Sequence, residues 1–178
     1  MGSINENQPE QNREDLAGPE AVTKIRELVK AAGTGFFCTA IQSGRPVPTR
    51  PMAVQEVDDQ GRLWFMSASD SHQNRENAKD SAVQLLFQGS SYSEFLSLYG
   101  HATISTDKAL IEKFWKPTLK TWFTEGKDDP RITVISVQPL EGYYWDTKHN
   151  KLVVMAKMVA GAITGKTLDD SIEGTLRV

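Results

Sequence analysis

The sequence predicts an α+β fold, most simply a small antiparallel barrel decorated with helices. Three observations predict it. Short β-prone runs recur through the middle of the chain, several of them bounded by turn residues such as Ser43-Gly44 and Asp58-Asp59-Gln60-Gly61. Only a few segments carry apolar residues at helical spacing, and they stand before or between those runs. No internal repeat is present.

The elements follow in order. Residues 1–15 are polar, with only Met1 and Ile4 apolar. Too little apolar surface is available to offset ordering entropy, which predicts a disordered N-terminal tail ahead of one domain over 16–178. Leu16, Val22, Ile25, Leu28 and Val29 recur at helical spacing and predict a helix from about Pro19 to Ala32, stopped by Gly33 and covering one mouth of the barrel. Residues 36–41 form a strand. Residues 46–57 form a second, and Pro48 and Pro51 inside it call for an edge or a bulge. The turn at 58–61 leads to a returning strand over 63–67. A polar helix spans 71–79, and strands follow at 83–87 and 94–105, with a bulge or close approach expected at Gly100. Thr106 or Asp107 caps a helix lined by Leu110, Ile111, Phe114 and Trp115. A short helix over 121–124 ends near Gly126. Strands at 132–137, 143–146 and 152–158 complete the chain.

Composition narrows the function. The chain has 178 residues, enough for one self-sufficient core. Its 20 basic and 23 acidic residues give a formal charge of −3, which argues against a nucleic-acid or anionic-membrane partner held by bulk charge. One cysteine, Cys38, excludes an internal disulfide and a cysteine-rich zinc site. It lies in an apolar run and reads as a small core residue. No stretch is long and apolar enough for a membrane helix, and no signal-peptide pattern opens the chain. The expected address is the cytoplasm. The three histidines, His72, His101 and His149, share no metal-ligand spacing, so no metal is expected. Nucleophile elbows and glycine-rich phosphate loops are absent.

Three constellations carry chemistry. In residues 63–75 a strand runs into a serine-rich turn and then a polar helix. Ser67, Ser69 and Ser71 offer hydroxyls, and the helix start offers free N–H groups, a combination able to hold a phosphate monoester. Arg50 and Arg75 are the candidate guanidinium partners. Plain capping explains the same stretch, with Asp70 and Gln73 at capping-box spacing, and is the commoner use of it. In Thr49-Arg50-Pro51-Met52 the proline leaves neighbouring backbone groups unpaired for a planar heterocycle, with Met52 as a soft apolar surface, although an ordinary edge strand explains it too. The aromatic set Phe114, Trp115, Trp122, Phe123, Tyr143, Tyr144 and Trp145 is richer in Trp and Tyr than core packing in one small barrel requires.

These motifs in this order resemble the pyridoxamine 5′-phosphate oxidase-like flavin-binding split barrels, and among them the general stress protein branch. The resemblance runs from about residue 19 to 178. It is carried by Thr49-Arg50-Pro51-Met52, Leu63-Trp64-Phe65-Met66-Ser67, Ser69-Asp70-Ser71-His72-Gln73, Tyr99-Gly100-His101-Ala102, Phe114-Trp115, Trp122-Phe123, Gly126, Tyr144-Trp145-Asp146 and Thr164-Gly165-Lys166. It implies a mainly antiparallel six-stranded split β-barrel with peripheral helices, a homodimer with FMN at the subunit interface, and room for FAD in place of FMN. By position, Thr49, Arg50, Pro51 and Met52 would border the isoalloxazine edge. Phe65, Met66 and Ser67 would give backbone and ring contacts, and Ser71, His72 and Gln73 would meet the phosphate. Trp115 and Trp145 would come from the partner or border its ring. Members of this family usually carry lysine where this chain has Gln73, and one lost charge-assisted bond costs ~1–3 kcal/mol. The resemblance implies a flavin-dependent oxidoreductase of unknown substrate. The alternatives are a non-catalytic flavin carrier, buffer or sensor, and an interaction module that has lost its cofactor. No general acid or base stands out, and His72 and His101 read as structural donors.

Overall fold

A computed structural model describes residues 12–42, 44–148 and 170–178. The elements are β1 (Leu16–Ala17), α1 (Pro19–Ala32), β2 (Thr34–Cys38), β3 (Thr49–Ala53), β4 (Glu56–Val57), β5 (Leu63–Ala68), α2 (His72–Lys79), β6 (Ala82–Gln88), β7 (Phe95–Ser105), α3 (Lys108–Phe114), 3-10 turns over Pro117–Thr121 and Gly126–Asp128, β8 (Ile132–Thr147) and β9 (Ser171–Arg177). This is a mixed α+β structure. Its nine strands belong to one sheet, ordered β1-β9-β8-β7-β6-β2-β3, with β5 beside β8 and β4 beside β5. All named pairings are antiparallel except β1 on β9. The hydrogen-bonded order does not close into the expected six-stranded ring, because β3 pairs only with β2 and β4 only with β5 among the described residues.

The helix α1 has the predicted bounds. Pro19 opens it, and Gly33 closes it at φ 68°, where its N–H donates to Val29 O at 2.8 Å. Its Ala21, Ile25, Leu28 and Val29 pack into a core with Phe37, Leu63, Phe65, Leu85, Leu98 and Ile135. A second core joins Trp64 and Met66 to Ile111, Phe114, Phe123, Ile132 and Val134. Alternate residues of β5 thus enter different cores. With both faces buried, this strand reads as an unbroken apolar run.

Five expectations change. The run at 46–57 splits in two because the chain changes partner there: Val54 N–H donates to Gly33 O at 3.0 Å, and the next N–H, of Gln55, donates to Trp64 O at 2.8 Å. The short helix lies earlier than 121–124, at Pro117–Thr121, started by its proline. The strands at 132–137 and 143–146 are one 16-residue strand, β8. Pro139 is tolerated within it because β8 exchanges β5 for β9 between Val137 and Glu141 and so needs no ladder donor there. The register against β7 slips at that place, between Tyr99 and Gly100, as the glycine suggested. On the edge away from β7, the partner of Tyr143–Trp145 is β9, which went unpredicted. Residues 152–158 and 164–166, and His149, lie outside the described residues. Residues 12–15, assigned to the tail, lie against β9: Arg13 bridges Glu173, Glu14 N–H donates to Glu173 O at 2.9 Å, and the Tyr144 hydroxyl donates to Glu14 O at 2.9 Å. No helix among the described residues is long and apolar enough to cross a membrane.

The hairpin turn is organised by one carboxylate. Asp58 accepts from Gln60 N, Arg62 N, Arg62 Nε and Trp64 Nε1, at 2.8–3.1 Å. Burial pushes its carboxyl up, but the bonds from Trp64, Arg62 and Gln60 outweigh burial and hold it below the ordinary carboxylate range. A depressed folded-state pKa adds stability above the unfolded value of 3.8, and that stability is lost as pH falls through the folded value. Asp58→Asn is therefore expected to cost about 1–3 kcal/mol at pH 7. Denaturant melts should show the gap from wild type narrowing once the pH drops below about 4.

Candidate functional site

The serine-rich turn joins β5 to α2. Ser69 N–H donates to Arg131 O at 2.7 Å and Ser71 N–H to Ala68 O at 3.0 Å, so the turn is fastened to the strand end. Ser71 is the helix cap: its Oγ accepts from Asn74 N at 3.1 Å and lies 3.3 Å from Ser67 Oγ. The capping box expected between Asp70 and Gln73 is replaced by this Ser71 cap. Asp70 and His72 are exposed, while Gln73 is 2% exposed. The inner face of α2 is built of amides. Asn74 Nδ2 donates to Thr133 Oγ1 at 2.8 Å, but Gln73 Nε2, Asn74 Oδ1 and both amide atoms of Asn77 are buried without a partner.

Arg50 leaves β3 toward α2. Its Nη2 donates to Glu76 Oε2 at 2.8 Å and its Nη1 to Thr39 Oγ1 at 3.1 Å. Thr39 also donates to Glu76. Burial pushes the Glu76 carboxyl up, but the hydrogen bonds from Thr39 and Arg50, with the Arg50 and His72 charges, outweigh burial and hold it below the ordinary range. Glu76 and Thr39 were missed in the sequence. Arg50 stands 26 positions from Glu76, and no local pattern reports such a pair.

Two strand edges flank a split. Backbone polar groups alternate between the two edges of an antiparallel strand. Val54 N–H and Pro48 O face β2, since they bond Gly33 O and Thr39 N. By alternation, Thr49, Pro51 and Ala53 face the other edge, so the missing N–H of Pro51 costs no ladder bond. On β5, Trp64 O faces Gln55 N. By the same alternation, the N–H and C=O of Met66 face that side, where β4 covers only Leu63 and Trp64. Between β3 and β5 the ladder is accordingly interrupted, a gap in pairing bordered by Pro51 and Met66 backbone, and the Ser67–Ser71 turn follows directly on β5.

The other expected residues fall as follows. Phe65 is buried, edge-on to Phe37 at 5.2 Å, so only its backbone is available. The side chain of Met66 lies in the second core, and half-buried Met52 packs on the first. Thr49 is exposed and donates to Cys38 Sγ at 3.4 Å and to Val47 O at 3.0 Å. Trp115 sits at the end of α3 near Phe123, with ring centroids 6.5 Å apart. Trp145 is 44% exposed beside Tyr143, on the far half of β8. It lines one cavity with Pro51, Phe36, Leu86 and Ser97, so a single chain brings Trp145 and Pro51 to the same hollow. Among the described residues no group of three or more His, Cys, Asp or Glu is placed to hold a metal ion.

Comparison with known proteins agrees with this architecture. A candidate general stress protein 26 from Jannaschia sp. CCS1 superposes with a TM-score of 0.73 at 20% identity, covering 90% of this chain and all of that one (100%). General stress protein 26 from Bacillus anthracis str. Sterne superposes at 0.59 with 22% identity, over 69% of this chain and 92% of that chain. The general stress FMN/FAD binding protein from Xanthomonas citri superposes at 0.55 with 22% identity, over 67% and 82%. These likenesses show the fold. In sequence, Protein bli-3 of Neurospora crassa is 30% identical over 127 residues, 66% of this chain, and the match spans 61% of that protein's length. The family described as pyridoxamine 5′-phosphate oxidase like matches residues 20–169. With its sheet, its turn and its split edges in this order, the chain belongs to the pyridoxamine 5′-phosphate oxidase-like family.

Proposed function

We propose that this chain is a flavin-binding protein that takes FMN in the gap between β3 and β5, on a six-position split barrel in which β3 and β4 act as one strand. The observation that carries this reading is the pair of unpaired edges at Pro51 and Met66, leading to the Ser67–Ser71 turn. A planar heterocycle with polar edges satisfies such backbone groups, and a phosphate suits hydroxyls at a helix start. The buried, unpartnered Gln73 Nε2 is a further donor on that helix and fits a phosphorylated tail. The description of the Xanthomonas citri relative as an FMN/FAD binding protein supports the same ligand class. The adenylate of FAD would extend past the exposed turn residues Ser69 and Asp70.

In this reading Pro51 and Met66 hold the ring edge, Ser67, Ser71 and Gln73 hold the phosphate, and Arg50 contributes charge. When bound, the flavin supplies hydride transfer, and the chain orients it. A second copy completes the site, with Trp115 and Trp145 bordering it across a homodimer interface. Phe36, Leu86 and Trp145 form an exposed apolar surface on the sheet, 41–55% exposed, that suits burial against such a copy.

A second reading, a carrier, buffer or sensor without turnover, is favoured by one observation. His101 Nδ1 lies 3.1 Å from Ser81 Oγ on the outer sheet, and His72 is exposed at the helix start. Neither borders the gap between the strands. Purified protein that is yellow and elutes as a dimer, and that releases flavin on dilution to monomer, supports the flavin reading. A colourless protein that fails to bind added FMN overturns it. Steady NAD(P)H consumption separates the oxidoreductase from the carrier.

A further inference from the structure

The charge around the serine-rich turn has a consequence for which flavin the site takes. Three guanidiniums stand on or near it, and each already has a partner. Arg50 Nη2 bonds Glu76 at 2.8 Å, Arg131 Nη2 bonds Asp129 at 2.8 Å, and Arg75 Nη2 bonds the Asp70 carbonyl at 2.6 Å. With the three carboxylates of Asp70, Glu76 and Asp129, these guanidiniums sum to no net charge. Gln73 on the inner face of α2 is neutral. Of the three guanidiniums that a phosphate dianion would meet here, only the exposed Arg75 lacks a carboxylate partner. The Arg50–Glu76 pair matters most. It is three-quarters buried on both sides, with 25% and 26% exposure, and Thr39 braces it by bonding both partners.

We propose that Glu76 acts as a standing counter-ion to Arg50 and that the site therefore accepts a flavin with an uncharged tail, the riboflavin class, nearly as well as a phosphorylated one. The inference rests on the flavin reading above and adds the specificity of the tail. To bond a phosphate, Arg50 must share its guanidinium with Glu76, whose carboxylate repels the incoming charge. The ribityl hydroxyls of an uncharged tail meet no such competitor. They can bond the hydroxyls of Ser67 and Ser71.

Equilibrium titration of the apoprotein with riboflavin and with FMN, followed by flavin fluorescence, tests this. The wild-type affinities are expected to differ by less than about tenfold. Glu76→Gln keeps the shape and the hydrogen bonds while removing the charge, and is expected to tighten FMN about tenfold while moving riboflavin less than twofold. A wild-type preference for FMN above about tenfold, or a Glu76→Gln variant whose two affinities move together, overturns the inference and leaves the flavin reading standing. Binding of neither flavin overturns both. Glu76→Ala gives the same test if Glu76→Gln does not fold, and the wild-type ratio decides without any variant.

Discussion

Arg50→Ala will weaken FMN about thirtyfold while riboflavin loses only about threefold. The reason lies in what the substitution leaves behind. In the native chain the Arg50 guanidinium and the Glu76 carboxylate cancel at 2.8 Å. Without Arg50, Glu76 keeps only the Thr39 hydroxyl and stands as a bare anion near the turn that would hold a phosphate. A dianion is repelled, whereas an uncharged tail is not. For the double variant Arg50→Ala with Glu76→Gln, a thirtyfold loss and a tenfold gain sum to about a threefold loss, and recovery beyond that reports the coupling of the two charges. Titration of the four proteins with both ligands measures it. Equal losses for FMN and riboflavin in Arg50→Ala would show that Arg50 does not act on the phosphate.

The second large effect is structural. Gly100 sits where β7 crosses the irregularity of β8, and a Cβ there would run into the carbonyl oxygen of Gln138 and press on Pro139. Both neighbours are backbone, so neither can rotate away. Gly100→Ala is expected to cost about 3 kcal/mol, which for a chain of this size lowers the melting temperature by roughly 6–12 °C. Gly126→Ala is the contrasting control. Gly126 has φ 75°, but nothing lies within 4 Å of the position a Cβ would take, so only backbone strain is added, about 1 kcal/mol. Thermal melts that rank the two in the opposite order would contradict the account of the β7–β8 crossing.

Much of the fold was legible because the signals were local. Apolar spacing together with Pro19 and Gly33 marked both ends of α1, and of the two cap candidates Thr106 and Asp107 it is Asp107 that starts α3, accepting from Ala109 N at 2.7 Å. Gly100 announced the irregularity in β7. What was not legible depends on partners distant in sequence. The runs at 132–137 and 143–146 are one strand, because a strand that exchanges one neighbour for another needs no donor at Pro139. The strand β9 was obscured by Glu173 and Gly174, whose roles appear only once residues 12–15 lie across them. The same division runs through the candidate site. Pro51, Ser67 and Ser71 could be picked out from strand and turn chemistry. Glu76 could not, because its meaning comes from Arg50 on another element. Phe65 and Met52 carried the right pattern for ring contacts, but their side chains serve the core.

The central claim is that a flavin ring lies between β3 and β5 with its tail at the Ser67–Ser71 turn. A crystal structure of the protein grown with FMN tests it most directly. The account predicts the ring edge within hydrogen-bond reach of the Met66 backbone and flanked by Pro51, with the tail at the Ser71 hydroxyl. Flavin density elsewhere on the molecule, or side chains closing the gap in the presence of excess ligand, would contradict it.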